Sequence, residues 1–229
     1  MGLGQAPPRV CLRDQAQPES LTLLDPRPVR RLTVPVIATK PRAASKKSTG
    51  RRWTFEERAA ELPDSNLPTE LWDGELTLSP APSFFHQEIV DRFHDRLKAW
   101  VREHRLGKTG IAPLDMVLAP RRSVQPDVVF ISTARLGIIR DRILGAADLV
   151  AEVISPESRR RDRFDKRDLY EQHGVREYWL LDPEAPTVEV FYLHGGEYEL
   201  VGRWRPGEQA RSRLLKGFSL AVAGLFGEG

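Results

Sequence analysis

Two carboxylates stand where a packed β-sheet has little use for them. Asp127 follows Pro126 and leads into the apolar run Val128-Val129-Phe130-Ile131, and Glu152 sits between Ala151 and Val153 in an otherwise apolar stretch. A carboxylate in a central strand is unfavourable unless it is paired, protonated or bound to a cation. If the two strands are neighbours, both acids converge on one hard ion such as Mg²⁺, which takes oxygen ligands. Singly, each acid could equally cap a strand end or pair with an arginine; together they point to a metal. Lys166 is the third part, sharing a helical face with Asp162 and Tyr170 at i, i+4 spacing. An ammonium beside two metal-binding carboxylates can orient an attacking water or stabilise charge on a phosphate. The competing reading is a solvated helix start, because Arg159-Arg160-Arg161-Asp162-Arg163 is highly charged.

Other chemistries find no support. The single cysteine, Cys11, excludes an intramolecular disulfide framework and a multi-cysteine zinc site. His86, His94, His104, His173 and His194 show no metal-ligand spacing, and no Ser/His/Asp or Cys/His set is evident. No G-x-x-x-x-G-K-[ST] loop occurs.

The elements that must position these residues are legible from periodicity. Thr54 and Glu57 have capping-box spacing, with Phe55, Ala59 and Leu62 at helical intervals after the cap. Glu70–Leu78 predicts a hairpin turning at Asp73-Gly74. Ser83 caps a long helix to about Arg105, ended by Gly107, with Ile89, Phe93, Leu97 and Trp100 as its apolar stripe. Strands are expected at Ile111–Ala119, Val124–Ser132 and Asp148–Ser155, the last two apolar enough to be covered on both faces. A second helix runs from about Glu157 or Arg159 to His173, stopped by Gly174. Strands at Glu177–Asp182, Thr187–Leu193 and Glu197–Trp204 complete an α/β chain with a central mixed sheet flanked by helices.

The formal charge of +3 over 229 residues conceals a split. Residues 1–52 carry 11 basic and 3 acidic side chains, a balance of +8, so residues 53–229 stand at −5. The first segment also holds seven of the 18 prolines and no sustained period, and is expected to be a disordered basic tail. The high isoelectric point is therefore poor evidence that the folded part binds nucleic acid. No stretch approaches the ~18 apolar residues of a membrane span, and no apolar signal core follows Met1, so a cytoplasmic protein is expected.

The order of several short motifs carries a resemblance. Trp72-Asp73-Gly74-Glu75-Leu76, His86, Gln125-Pro126-Asp127-Val128-Val129 and Ala151-Glu152-Val153-Ile154-Ser155-Pro156 come first. Lys166, Tyr170 and Gly174-Val175-Arg176-Glu177-Tyr178-Trp179-Leu180-Leu181-Asp182-Pro183 follow. From Trp53 to Phe226 the chain resembles the Uma-type restriction endonuclease family of the PD-(D/E)XK nuclease superfamily. The resemblance implies a restriction endonuclease-like core and Mg²⁺- or Mn²⁺-dependent hydrolysis of phosphodiester bonds, with DNA as the expected substrate and a homodimer as one possible assembly. It implies Asp127 and Glu152 as metal ligands, Glu75 as an upstream acid completing the metal shell, and His86 facing the cleft. The motif lysine expected two residues after Glu152 is replaced by Ile154, so its role passes to Lys166. The alternative from another class is a non-catalytic nucleic-acid- or protein-binding module that keeps the nuclease fold.

Overall fold

The computed structural model describes residues 51–62, 69–78, 81–156 and 158–227. The basic tail expected over 1–52 lies outside the described residues apart from Arg51 and Arg52. Those two belong to the folded body: Arg51 donates to both carboxylate oxygens of Glu61 and lies over the Trp53 ring, and Arg52 donates to Asp73 O.

Helix α1 (Phe55–Glu61) starts in the expected capping box, with Thr54 accepting from Glu57 N–H and the Glu57 carboxylate accepting from Thr54 N–H. Strands β1 (Thr69–Trp72) and β2 (Glu75–Leu78) form the predicted hairpin. Asp73 and Gly74 both take positive φ, +49° and +87°, as a two-residue turn of matching twist demands. Helix α2 (Phe84–Glu103) is capped by Ser83, which accepts from His86 N–H. Its end differs from expectation. Arg105 takes the left-handed conformation, and Leu106 N–H and Arg105 N–H return to Val101 O and Arg102 O. Gly107 instead opens β3 (Gly107–Ile111), where a Cβ would lie 2.0 Å from Ile131 O, so only glycine fits.

The two strands expected at 111–119 and 124–132 are each broken in the middle. The first resolves into β3 and β4 (Met116–Ala119), the second into β5 (Arg122–Val124) and β6 (Val128–Ser132). Pro113 and Pro126 occupy the breaks; lacking an N–H, neither can continue a ladder. At each proline the chain passes between two sheets. β3 and β6 belong to a six-stranded sheet, while β4 and β5 belong to a five-stranded one with β1, β2 and the short β7 (Ile143–Leu144).

The larger sheet has the order β11-β10-β9-β8-β6-β3, built with β8 (Leu149–Val153), β9 (Glu177–Asp182), β10 (Thr187–His194) and β11 (Glu197–Trp204). Only β8 and β9 run parallel; the other neighbours are antiparallel, giving the mixed sheet. Alternation sends Val128, Phe130, Ala151 and Val153 toward α2, where they pack with Ile89, Phe93 and Leu97. It sends Val129, Ile131, Val150 and Ile154 to the opposite face, with Leu169 and Tyr170. The central strands are therefore apolar on both sides. Glu152 shares the second face with Val150 and Ile154, the face covered by the segment joining β8 to β9.

That connection turns helical at Arg159, passes through a π-helical turn (Arg161–Lys166) and continues as α3 (Arg167–Gln172). Gly174, at φ +79°, ends it as expected, and Val175 N–H returns to Tyr170 O. Beyond β11, the sequence pattern misses a two-stranded pair, β12 (Gln209–Arg211) and β13 (Ser219–Ala221), and the short α4 (Ala223–Phe226). Among the described residues no helix is long and apolar enough to cross a membrane.

Candidate active site

The site lies where the two sheets part. A cleft of about 590 Å³ opens between the proline breaks, the first turn of α2, the end of β8 and the π turn. Asp127, Glu152, Lys166 and His86 all line it. Four of the five expected site residues thus meet in one place.

Register explains the central pair. Val128 faces Ala151 across the β6–β8 ladder. Extending that antiparallel pairing by one residue sets Asp127 opposite Glu152, on the same face. Asp127 Oδ2 accepts from Val153 N–H at 2.8 Å. His86 Nε2 stands 3.0 Å from Val153 O and 3.3 Å from Asp127 Oδ2. Both neighbours accept, so Nε2 carries the proton. Burial opposes a charged imidazole here, but the Asp127 hydrogen bond and charge outweigh it and raise the His86 pKa above its usual value. His86 thus clamps Asp127 to the β8 backbone.

Glu152 is buried, and its Oε1 accepts from Lys166 Nζ at 2.8 Å and Tyr170 OH at 2.5 Å. Lys166 also approaches Glu70 Oε1 at 3.2 Å and Asp162 Oδ1 at 3.7 Å. Burial alone would discharge this ammonium; the three surrounding carboxylates overcome that and keep it charged. Asp162 is fixed in turn by the Ser158 hydroxyl.

Glu75 is the exception. It follows directly on the hairpin turn, its side chain is 56% exposed, and its carboxylate lies 3.7 Å from Arg52 rather than in the cleft. The expectation that Glu75 completes a metal shell is corrected by its position: the turn packs against Arg52 and Arg122, away from the cleft. Glu70, on the same hairpin, lines the cleft instead, held by Trp72 Nε1 at 3.1 Å and the Gln125 N–H at 3.4 Å. Burial works against its ionisation, but Lys166 and Arg161 prevail and hold it below the usual carboxylate range. The available signal was the i, i+2 spacing to Trp72, which puts both on one strand face.

The cleft carries more negative charge than its cations answer. Four carboxyl groups (Glu70, Asp127, Glu152, Asp162) line it against Lys166, Arg161 and the His86 imidazole. Desolvation drives Glu152 well above the usual range although Lys166 pulls the other way, and it drives Asp162 up as well. Asp127 Oδ1 and Glu152 Oε2 accept no hydrogen bond among the described residues. No three or more His, Cys, Asp or Glu side chains among the described residues surround one common metal position. Mg²⁺ does not require such a cage, since it commonly keeps several waters and uses one or two carboxylates. Two unbonded hard oxygens in an over-negative cleft fit that mode.

Residues 55–223 match the family model Uma2, described as "Putative restriction endonuclease". The chain belongs to that family. Membership supports a nuclease function. Among solved structures, the chain is similar to a putative nuclease belonging to DUF820 from Anabaena variabilis ATCC 29413, with a TM-score of 0.64 and 21% identity. The similarity covers 76% of this chain and 97% of that one, which establishes the shared fold. No curated protein matches the chain.

Proposed function

We propose that this Uma2 protein is a metal-dependent endonuclease that hydrolyses phosphodiester bonds of DNA with Mg²⁺ or Mn²⁺. The observation that carries the reading is the meeting of Asp127 and Glu152, each with an unbonded oxygen, beside the buried Lys166 ammonium in one open cleft. The family's description as a restriction endonuclease supports DNA as substrate.

Asp127 and Glu152 would hold the ion, which supplies positive charge to draw in a phosphate and stabilise the charge developing on it. The chain's own groups fix the arrangement before substrate arrives. Asp127 is set by the Val153 N–H and His86, and Glu152 by Lys166 and Tyr170. Lys166 is enclosed by carboxylates and stays protonated, so it acts as a fixed charge that helps orient the attacking water rather than as a base. Water attacks phosphorus as the bond to the leaving sugar oxygen breaks; the proton the water sheds passes to solvent, and the leaving oxygen takes one from solvent.

The test is cleavage of plasmid and single-stranded DNA across a Mg²⁺ titration. Asp127→Asn and Glu152→Gln preserve shape and are expected to lower the rate by ~10² or more, the scale of losing a preorganised charge-stabilising group. Equal rates in the wild type and both variants would overturn the site. A wild type that binds DNA without cutting it would favour the non-catalytic module.

A further inference from the structure

The arginine run that reads as one charged patch in the sequence divides in three dimensions. Arg159 donates to Asp182 at 2.7 and 3.1 Å and to Glu184 at 2.5 Å. Arg163 donates to Glu189 at 2.8 Å and Asp182 at 2.9 Å. Both are committed to the sheet. Arg161 alone among the arginines of this run lines the cleft. Among the described residues its one ion pair is a 3.5 Å approach of Nη1 to Glu70 Oε2, and no hydrogen bond fills its donors.

The π turn accounts for this placement. Its hydrogen bonds join residues five apart and bring such residues onto one side, whereas an α-helix would separate them by roughly 140° around its axis. Arg161 and Lys166 are five apart, and they address the two oxygens of one carboxylate, Glu70 Oε2 and Oε1.

We propose that Arg161 binds a backbone phosphate of the nucleic-acid strand in the cleft, with Glu70 as its resting partner. This rests on the nuclease reading above and assigns the strand-gripping group that reading lacks. The ion addresses the reacting phosphate; a strand crossing an acid-lined cleft calls for a further cation at a neighbouring phosphate. Lys166 cannot serve, being buried among three carboxylates. Arg161 is partly exposed, at 22%, on a long side chain, and its planar fork matches two phosphate oxygens. Release of Arg161 does not strand Glu70, which keeps Lys166, the Trp72 indole and the Gln125 N–H.

The experiment measures binding of a fluorescein-labelled oligonucleotide, single-stranded and duplex, by anisotropy across a salt series. Ca²⁺ replaces Mg²⁺, and wild type, Arg161→Gln and Arg161→Lys are compared. Loss of one phosphate contact flattens the slope of log K against log salt by about 0.9 on duplex or 0.7 on a single strand. Arg161→Gln should show that loss, and Arg161→Lys should restore the slope while binding more weakly than wild type. An unchanged slope in Arg161→Gln overturns the assignment, as does a lowered melting temperature with the slope intact. A flattened slope in Arg161→Lys equal to that of Arg161→Gln also overturns it, since charge would then not be the determinant. Wild-type cleavage with Mg²⁺ separates the two claims. If the wild type cuts and the slope is unmoved, only the Arg161 assignment fails; if the wild type neither binds nor cuts, the nuclease reading fails.

Discussion

The segment from Arg159 to Lys166 serves two groups of buried acids, and treats them oppositely. Toward the outer half of the sheet it sends Arg159 and Arg163 to Asp182 and Glu189, and Arg203 from β11 joins at Glu189. Those two buried carboxylates face three guanidiniums, and the pairing holds Asp182 at about 2 although burial pushes the other way. Toward the cleft it sends Lys166 and Arg161, against four carboxylates. There Glu152 and Asp162 are pushed up. A buried acid matched by guanidiniums is structural; one left short of cations, in an open cleft, is held ready for a cation from solution. Glu177, also buried and also pushed up by desolvation, is structural on other grounds: its carboxylate accepts from Trp179 Nε1, Ser212 Oγ and the N–H groups of Arg213 and Leu214. It clasps the C-terminal segment and has no opening to a ligand.

Neutralising one acid of each kind should give different results. Asp182→Asn leaves Arg159 and Arg163 under-paired and is expected to destabilise by about 3 kcal/mol in urea unfolding. A loss indistinguishable from zero would break the comparison at its structural end. The same group gives a pH signature. Its folded value, about 2, lies below the ordinary 3.8, so its contribution is complete above about pH 4 and disappears as pH falls toward 2. The amount is about 2 kcal/mol, and Asp182→Asn should lack that segment of the acid-unfolding curve. Glu152→Gln removes surplus charge while keeping an oxygen for Tyr170 and Lys166. Its melting temperature should match or exceed the wild type's, even as cleavage is lost. A large destabilisation would place Glu152 with the structural acids. Smallest of all, Glu75→Gln should leave cleavage and melting temperature unchanged, because among the described residues its carboxylate meets only Arg52, at an exposed turn.

Much of this was legible in the sequence, for identifiable reasons. Helix α2 announced itself by Ser83 and its apolar stripe, and β6 and β8 by apolar runs too dense for a one-sided strand. Asp127 stands out because it leads into one of those runs, and Glu152 because it interrupts the other. The proline breaks were harder to read: Pro113 and Pro126 sat inside apparently continuous strands, and only the tertiary structure shows that they transfer the chain between sheets. Glu70 gave little signal, since an acid in a short hairpin usually faces water, and its partners Lys166 and Arg161 are distant in sequence. The alignment of Arg161 with Lys166 was hidden because α-helical spacing separates residues five apart. Glu75, the acid the family resemblance implies for the metal shell, sits instead at the exposed turn of the same hairpin.

The most direct test of the under-neutralised cleft is ion uptake itself. Calorimetric titration of Mg²⁺, repeated with Mn²⁺, into wild type, Asp127→Asn and Glu152→Gln measures it without requiring turnover. The wild type should take up the ion, and each variant should bind it at least about tenfold more weakly, since each loses one of two anionic ligands. Equal affinity in all three proteins, or no uptake by the wild type, would contradict the account.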